Sequence, residues 1–261
     1  MKAISSGVIT ALMSRFIQLF IMSVLSLPVL AQDLSAFDVV NKADKKFRGI
    51  SSYNEASLEI IRPTWRRKMS MKGWNKGRDY SLILITAPAH DKGSTSLRRN
   101  NEMWNWIPAI ERVIKISPSM LSQSWMGSDF SNDDLINQSS ILVDYTHQFA
   151  EDQVIDDAMC WQIIATPKID APVVWGKILL WISKTEFNQR QVAYYDEYGG
   201  LINTLYSHQV KTFDGRNIPT IMEMSPHDEP GNKTVMTIHD ARFDFLIETD
   251  FFSLEQMKKV R

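Results

Sequence analysis

The stretch "KILLWIS", Lys177–Ser183, is apolar on both sides of an extended chain. As a strand it points Ile178, Leu180 and Ile182 one way, and Leu179 and Trp181 the other. "YSLILIT", Tyr80–Thr86, repeats the pattern, with Leu82 and Leu84 opposing Ile83 and Ile85. A one-layer sheet in water alternates apolar and polar side chains, so strands of this kind require cover on both faces. Helices or an apolar ligand can supply that cover.

The rest of the chain says how much cover is available. Ser35–Phe47 reads as a helix: Phe37, Val40, Ala43 and Phe47 follow helical spacing, and Ser35 with Asp38 forms a capping-box variant. After Gly49 strand patterns dominate, about ten or eleven in all, and Ile141–Ala150 is read as one of them. "NKGR", "YGG" and "DG" mark tight turns, so consecutive strands are expected to lie side by side and antiparallel. Ser117–Gln138 interrupts the strand rhythm, and Ser253–Lys259 closes the chain as a short helix. The expected fold class is mainly β (α+β), one large curved antiparallel sheet. Three short helical segments are too few for a sheet this long, which points to an apolar cavity.

The N-terminus sets the compartment. Lys2 and Arg15 precede a short apolar run, Phe16–Leu27, followed by Pro28 and small or compact residues at Val29 and Ala31. This is the pattern of a secretory signal peptide cut after Ala31. The run is too short to span a bilayer as a helix, which takes roughly 20 residues. Residues 1–31 are therefore expected to be a cleaved signal peptide and residues 32–261 a single domain, periplasmic, soluble and not itself lipidated, since no cysteine follows the cut. The single cysteine, Cys160, has no disulfide partner and sits beside Met159 and Trp161 like a buried strand residue. A formal net charge of −1 gives no electrostatic case for nucleic acid.

No catalytic pattern emerges. The five histidines, His90, His147, His208, His227 and His239, never take the spacing of a helical zinc site. Asp144 and His147 lie three apart on a strand, on opposite faces. Nucleophile-elbow, Walker and dinucleotide motifs are absent, so no enzyme, catalytic residue, metal site or cofactor is expected. The acidic stretch "SQSWMGSDFSNDDL", Ser122–Leu135, reads as a helix entry instead. Asp129, Ser131 and Asp133 alternate as calcium ligands would, but no turn glycine or closing glutamate follows. With Ser131 as N-cap, Asp134 falls at the third helical position and completes a capping box, with Phe130 and Leu135 as a hydrophobic staple. Trp125, Met126 and Phe130 must then dock on something, and docking over the sheet's apolar face would make this segment a lid.

"WMGSDFSNDDL" resembles the "FMGSDFSYEDL" signature of the outer-membrane lipoprotein-sorting protein family, in its carrier-like branch. Ala87–Ser117 is similar to that branch's "MWxYLPxxxRVxxIS" region, and Lys177–Leu201 to its "VLWID…YYDxxG" hairpin. "GRNIPTIMEM" and "DFFSLEQM" resemble its closing strand and helix. Trp125, Asn132 and Trp106 depart from the family's phenylalanine and two tyrosines. The resemblance implies an unclosed half-barrel with helical lids over an apolar cavity, used as a carrier of lipid or of lipoprotein acyl chains. It also implies an RND-type inner-membrane transporter as partner, and peripheral membrane contact only. Tyr80, Leu82, Leu84, Trp104, Trp106 and Trp181 are the candidate cavity lining, and Trp125, Met126, Phe130 and Leu135 the candidate lid. A one-residue change of register exchanges the lining set for its neighbours. An envelope sensor or structural module that binds a lipid or protein without transport is the alternative. An envelope hydrolase is a third.

Overall fold

The computed structural model describes residues 34–136 and 140–261. The expected signal peptide lies outside the described residues. Helix α1, Ala36–Arg48, starts as read from the sequence. The Asp38 amide donates to the Ser35 hydroxyl and the Ser35 amide donates back to the Asp38 carboxylate, both at 3.1 Å.

Fourteen strands follow among the described residues. The first six are β1 (Ser51–Ile61), β2 (Arg66–Lys76), β3 (Tyr80–Ala87), β4 (Thr95–Arg99), β5 (Glu102–Ile107) and β6 (Arg112–Lys115). Then come α2 (Asn132–Ile136) and α3 (Ser140–Val143). The remaining strands are β7 (Tyr145–Phe149), β8 (Gln153–Ile155), β9 (Ala158–Pro167), β10 (Lys177–Ser183), β11 (Gln189–Tyr195), β12 (Leu201–Phe213), β13 (Arg216–Pro226) and β14 (Lys233–Phe243). Helix α4, Gln256–Lys259, ends the chain.

Every pairing is antiparallel, and the sheet runs β6-β5-β4-β3-β2-β1-β14-β13-β12-β11-β10-β9-β7, with β8 beside β9. Strands β6 and β7 do not pair, so the sheet is an unclosed half-barrel. Two details differ from the sequence reading. Residues 141–143 are helical and the strand begins only at Tyr145, because this apolar run packs as a turn against α1. The three-residue β8 adds a hairpin too short to leave a periodic signal.

Directly paired residues share a face, so the register separates two surfaces. One face links Leu58 to Met69 and Met236, Met236 to Met222, Met224 to Leu205, Leu205 to Val192, and Val192 to Leu180. This inner face carries α1 and the lid segment. The outer face links Trp74 to Leu82, Leu82 to Leu97 and Leu97 to Trp104. Phe252 and Met257, both fully buried, cover it from the C-terminal segment.

Candidate functional site

Between α1 and the inner face of β10–β13 lies an open cavity with about 1110 Å³ of empty space, its mouth included. Ile178, Leu180 and Ile182 of β10, Val192 of β11, Leu205 of β12 and Met222 of β13 form its floor, and Val40, Ala43 and Phe47 of α1 its roof. The space exists because α1 spans two-faced strands on a single helix width and cannot fill the curve beneath it.

Polar groups gather at the cavity's margins. Asp44 accepts from Arg48 at 3.0 and 3.2 Å and from Arg78 at 3.2 Å, which ties the roof helix to the β2–β3 turn. Asp133 and Asp134 also reach the wall, and both are buried. Asp134 completes the expected capping box: the Ser131 amide and hydroxyl donate to it at 2.7 and 2.8 Å, and its own amide donates to the Ser131 hydroxyl at 3.1 Å. Burial pushes the Asp134 carboxyl above the usual carboxylate range, against the pull of the Ser131 bonds and the Trp175 indole. Tyr145 donates to the Trp175 carbonyl at 3.1 Å, and burial raises its phenol too. No group of His, Cys, Asp and Glu side chains placed to hold a metal ion occurs among the described residues.

The candidate lid segment is fastened to the inner face. Trp125 is 2% exposed, and its indole N–H donates to the Ser96 hydroxyl at 3.1 Å. Met126 and Gly127 both take positive φ, 53° and 75°, so the chain turns back sharply and the Trp125 amide reaches the Phe130 carbonyl at 2.8 Å. Phe130 is buried as well. Asp129 receives a two-pronged pair from Arg62 and a hydrogen bond from the Thr234 hydroxyl at 2.6 Å. Arg67 donates to the Met126 carbonyl at 3.2 Å. Leu135 lies in α2, and its side chain is outside the described ones.

The six lining candidates lie elsewhere. Tyr80, Leu82, Trp104 and Trp106 belong to the outer-face cluster under Phe252 and Met257. Leu84 shares that face, since its partner Thr95 donates to the Met257 carbonyl at 2.8 Å. Trp181 packs on the outer face with Cys160 and Ala193, and its indole donates to Gln153 at 2.8 Å. The cavity takes the alternate positions, Ile178, Leu180 and Ile182, so the displacement is one of strand parity. Trp175 and Tyr194, also in the wall, had no signal in the sequence pattern. The first sits in an irregular connection, and the second reads as one tyrosine of a hairpin.

The geometry can be set beside known proteins. No curated protein matches the chain. The model of a family described as "Uncharacterized protein" matches residues 77–259, more than half of the chain. The chain belongs to that family. A crystal structure of a DUF1329 family protein from Desulfovibrio piger is similar at 26% identity, covering 85% of this chain and 97% of its own, with a TM-score of 0.78. A Vibrio parahaemolyticus domain named as an outer membrane lipoprotein-sorting protein has 21% identity, coverages of 85% and 98%, and a TM-score of 0.74. A LolA superfamily protein from Nitrosomonas europaea has 24% identity, coverages of 85% and 99%, and a TM-score of 0.73. The sequence motifs resemble those of the outer-membrane lipoprotein-sorting proteins, and the last two structures share this chain's fold. Within the fold, the signature residues "GSDFS" are those that turn, clamp and cap the lid: Gly127, Ser128, Asp129, Phe130 and Ser131.

Proposed function

We propose that this protein is a non-enzymatic periplasmic carrier. It holds the acyl chains of a lipid or lipoprotein in the cavity under α1 and passes them on, with an RND-type inner-membrane transporter as partner. The cavity itself carries the reading: apolar side chains from four adjacent strands and a helix surround empty space that water fills poorly. Each methylene buried there contributes about 0.8 kcal/mol, so one acyl chain suffices for tight binding. The clasped lid, the two-sided strands and the neighbours' names support the same reading. No helix among the described residues is long and apolar enough to cross a membrane.

The test is lipid extraction and mass spectrometry on the mature protein purified from its native envelope. The expected result is acylated species at near-stoichiometric amounts. A protein that yields none, and binds no fluorescent lipid, is not a carrier.

A further inference from the structure

A second cavity adjoins the first at the C-terminal end of α1. It holds about 420 Å³ of empty space, its mouth included, over β2, β1, β14 and β13. Ile218, Ile238, Ala241 and Phe243 form its apolar floor. Its polar side chains are drawn aside. Asn75 donates to Ser52 at 3.2 Å, Arg48 is held by Asp44, and the Asn54 side-chain oxygen lies over Gly73, 2.9 Å from where a Cβ would stand. The two cavities share two wall residues, Phe47 and Arg48. The floor continues from one to the other, because Met222 of the first packs against the apolar cluster that floors the second. With Arg48 tied to Asp44, the phenyl ring is the apolar part of the shared wall, and Phe47 is 38% exposed.

We infer that Phe47 is a partition that sets the length of chain this protein accepts. It stops the alkyl end of a ligand at the boundary of the two cavities, and the second cavity is the space a longer chain enters when the ring is gone. A chain lying on Leu205 and Met222 has its next apolar surface at Ile218, beyond the ring. Each methylene that leaves water for such a surface improves binding about fourfold, so a length limit appears as a break in affinity along a homologous series. The inference rests on the carrier reading and names the residue that selects among that carrier's ligands.

The experiment measures binding of lysophosphatidylcholines from decanoyl to stearoyl, below their aggregation concentrations. The readout is displacement of the neutral dye N-phenyl-1-naphthylamine from the mature protein. In the wild type, affinity should rise about fourfold per methylene and then level within the series. Phe47→Ala should move the break to longer chains and improve the stearoyl lipid about tenfold or more, with the shortest chains little changed. Phe47→Leu should move it part of the way, and replaces the alanine variant if that one fails to fold. Ala241→Leu fills the second cavity. It should leave the wild-type break in place and cancel the gain of Phe47→Ala. Three results overturn the partition while the carrier reading stands: a wild-type affinity that climbs through the whole series, a break that stays put in the Phe47 variants, or a gain that survives Ala241→Leu. If neither the dye nor any lysolipid binds, the carrier reading falls, and the partition with it.

Discussion

Arg62 and Asp129 meet side by side: the two terminal nitrogens of the arginine donate to the two carboxylate oxygens at 3.0 and 2.9 Å. The pair joins the end of β1 to the lid, with the side chains only 14% and 6% exposed. Removing one member of a buried pair strands the other's charge, which costs about 3 kcal/mol or more. Asp129→Asn should therefore lower the unfolding free energy measured in urea by that amount, with protease cleavage appearing in the candidate lid before global unfolding. A double-mutant cycle with Arg62→Met should return most of the loss as coupling. Additive losses would show that the clamp holds nothing.

The cap at α2 carries its own signature. Ser131→Ala removes the acceptor for the Asp134 amide and should cost about 1 kcal/mol in denaturant unfolding. Asp134 itself gives a pH dependence. Its folded value lies above the ordinary 3.8, so the unfolded state releases this proton first. Its contribution is full below 3.8 and is lost as pH rises through the raised folded value. In melting curves across that range, Asp134→Asn should lack this loss. The gap between variant and wild type should move in the variant's favour as pH rises.

His147 should act in the opposite direction. Burial holds its imidazole below the ordinary 6.5, its Nε2 is buried without a hydrogen-bond partner, and its ring meets Phe37 of α1 edge-on. The stability it contributes is present above 6.5 and is lost as pH falls through the lower folded value. His147→Gln should flatten the acid side of the stability profile. An unchanged acid limb would mean that other groups set it.

Cavity volume can be removed without touching the sheet. Ala43 looks into the space from the roof helix, so Ala43→Trp fills it from above. Lipid affinity should fall roughly tenfold or more, equivalent to about 1.4 kcal/mol, while the circular dichroism spectrum stays unchanged. Retained affinity would place the lipid elsewhere on the protein.

What was legible in the chain follows from the range of the interactions. Helix α1 and its capping box, the turn at Gly77, and the entry to α2 were readable because each is settled within a few residues. The need for cover on both faces was readable from "KILLWIS" alone. Which face would hold the cavity was not. Leu179 and Leu180 look alike to any local rule, and the choice depends on Ile155 and Ala158 folding back beside Cys160 to cover the outer side of β10. The run at 141–143 misled for the same reason, since contact with α1 outweighs its β-type residues. The meeting of the Trp175 indole with the Asp134 carboxylate arises only when an irregular connection meets α2, and no spacing announces it.

Strand β10 has one further consequence. Ile178, Leu180 and Ile182 face the empty space, while Leu179 and Trp181 lie in the outer cluster with Cys160. Successive codons of this segment therefore answer to different selective demands. Even-numbered positions can drift with whatever molecule the protein accommodates, and odd-numbered ones are held by the need to stay folded. A saturation-mutagenesis map of this strand should show tolerance alternating with a period of two, in opposite phase for survival and for ligand choice.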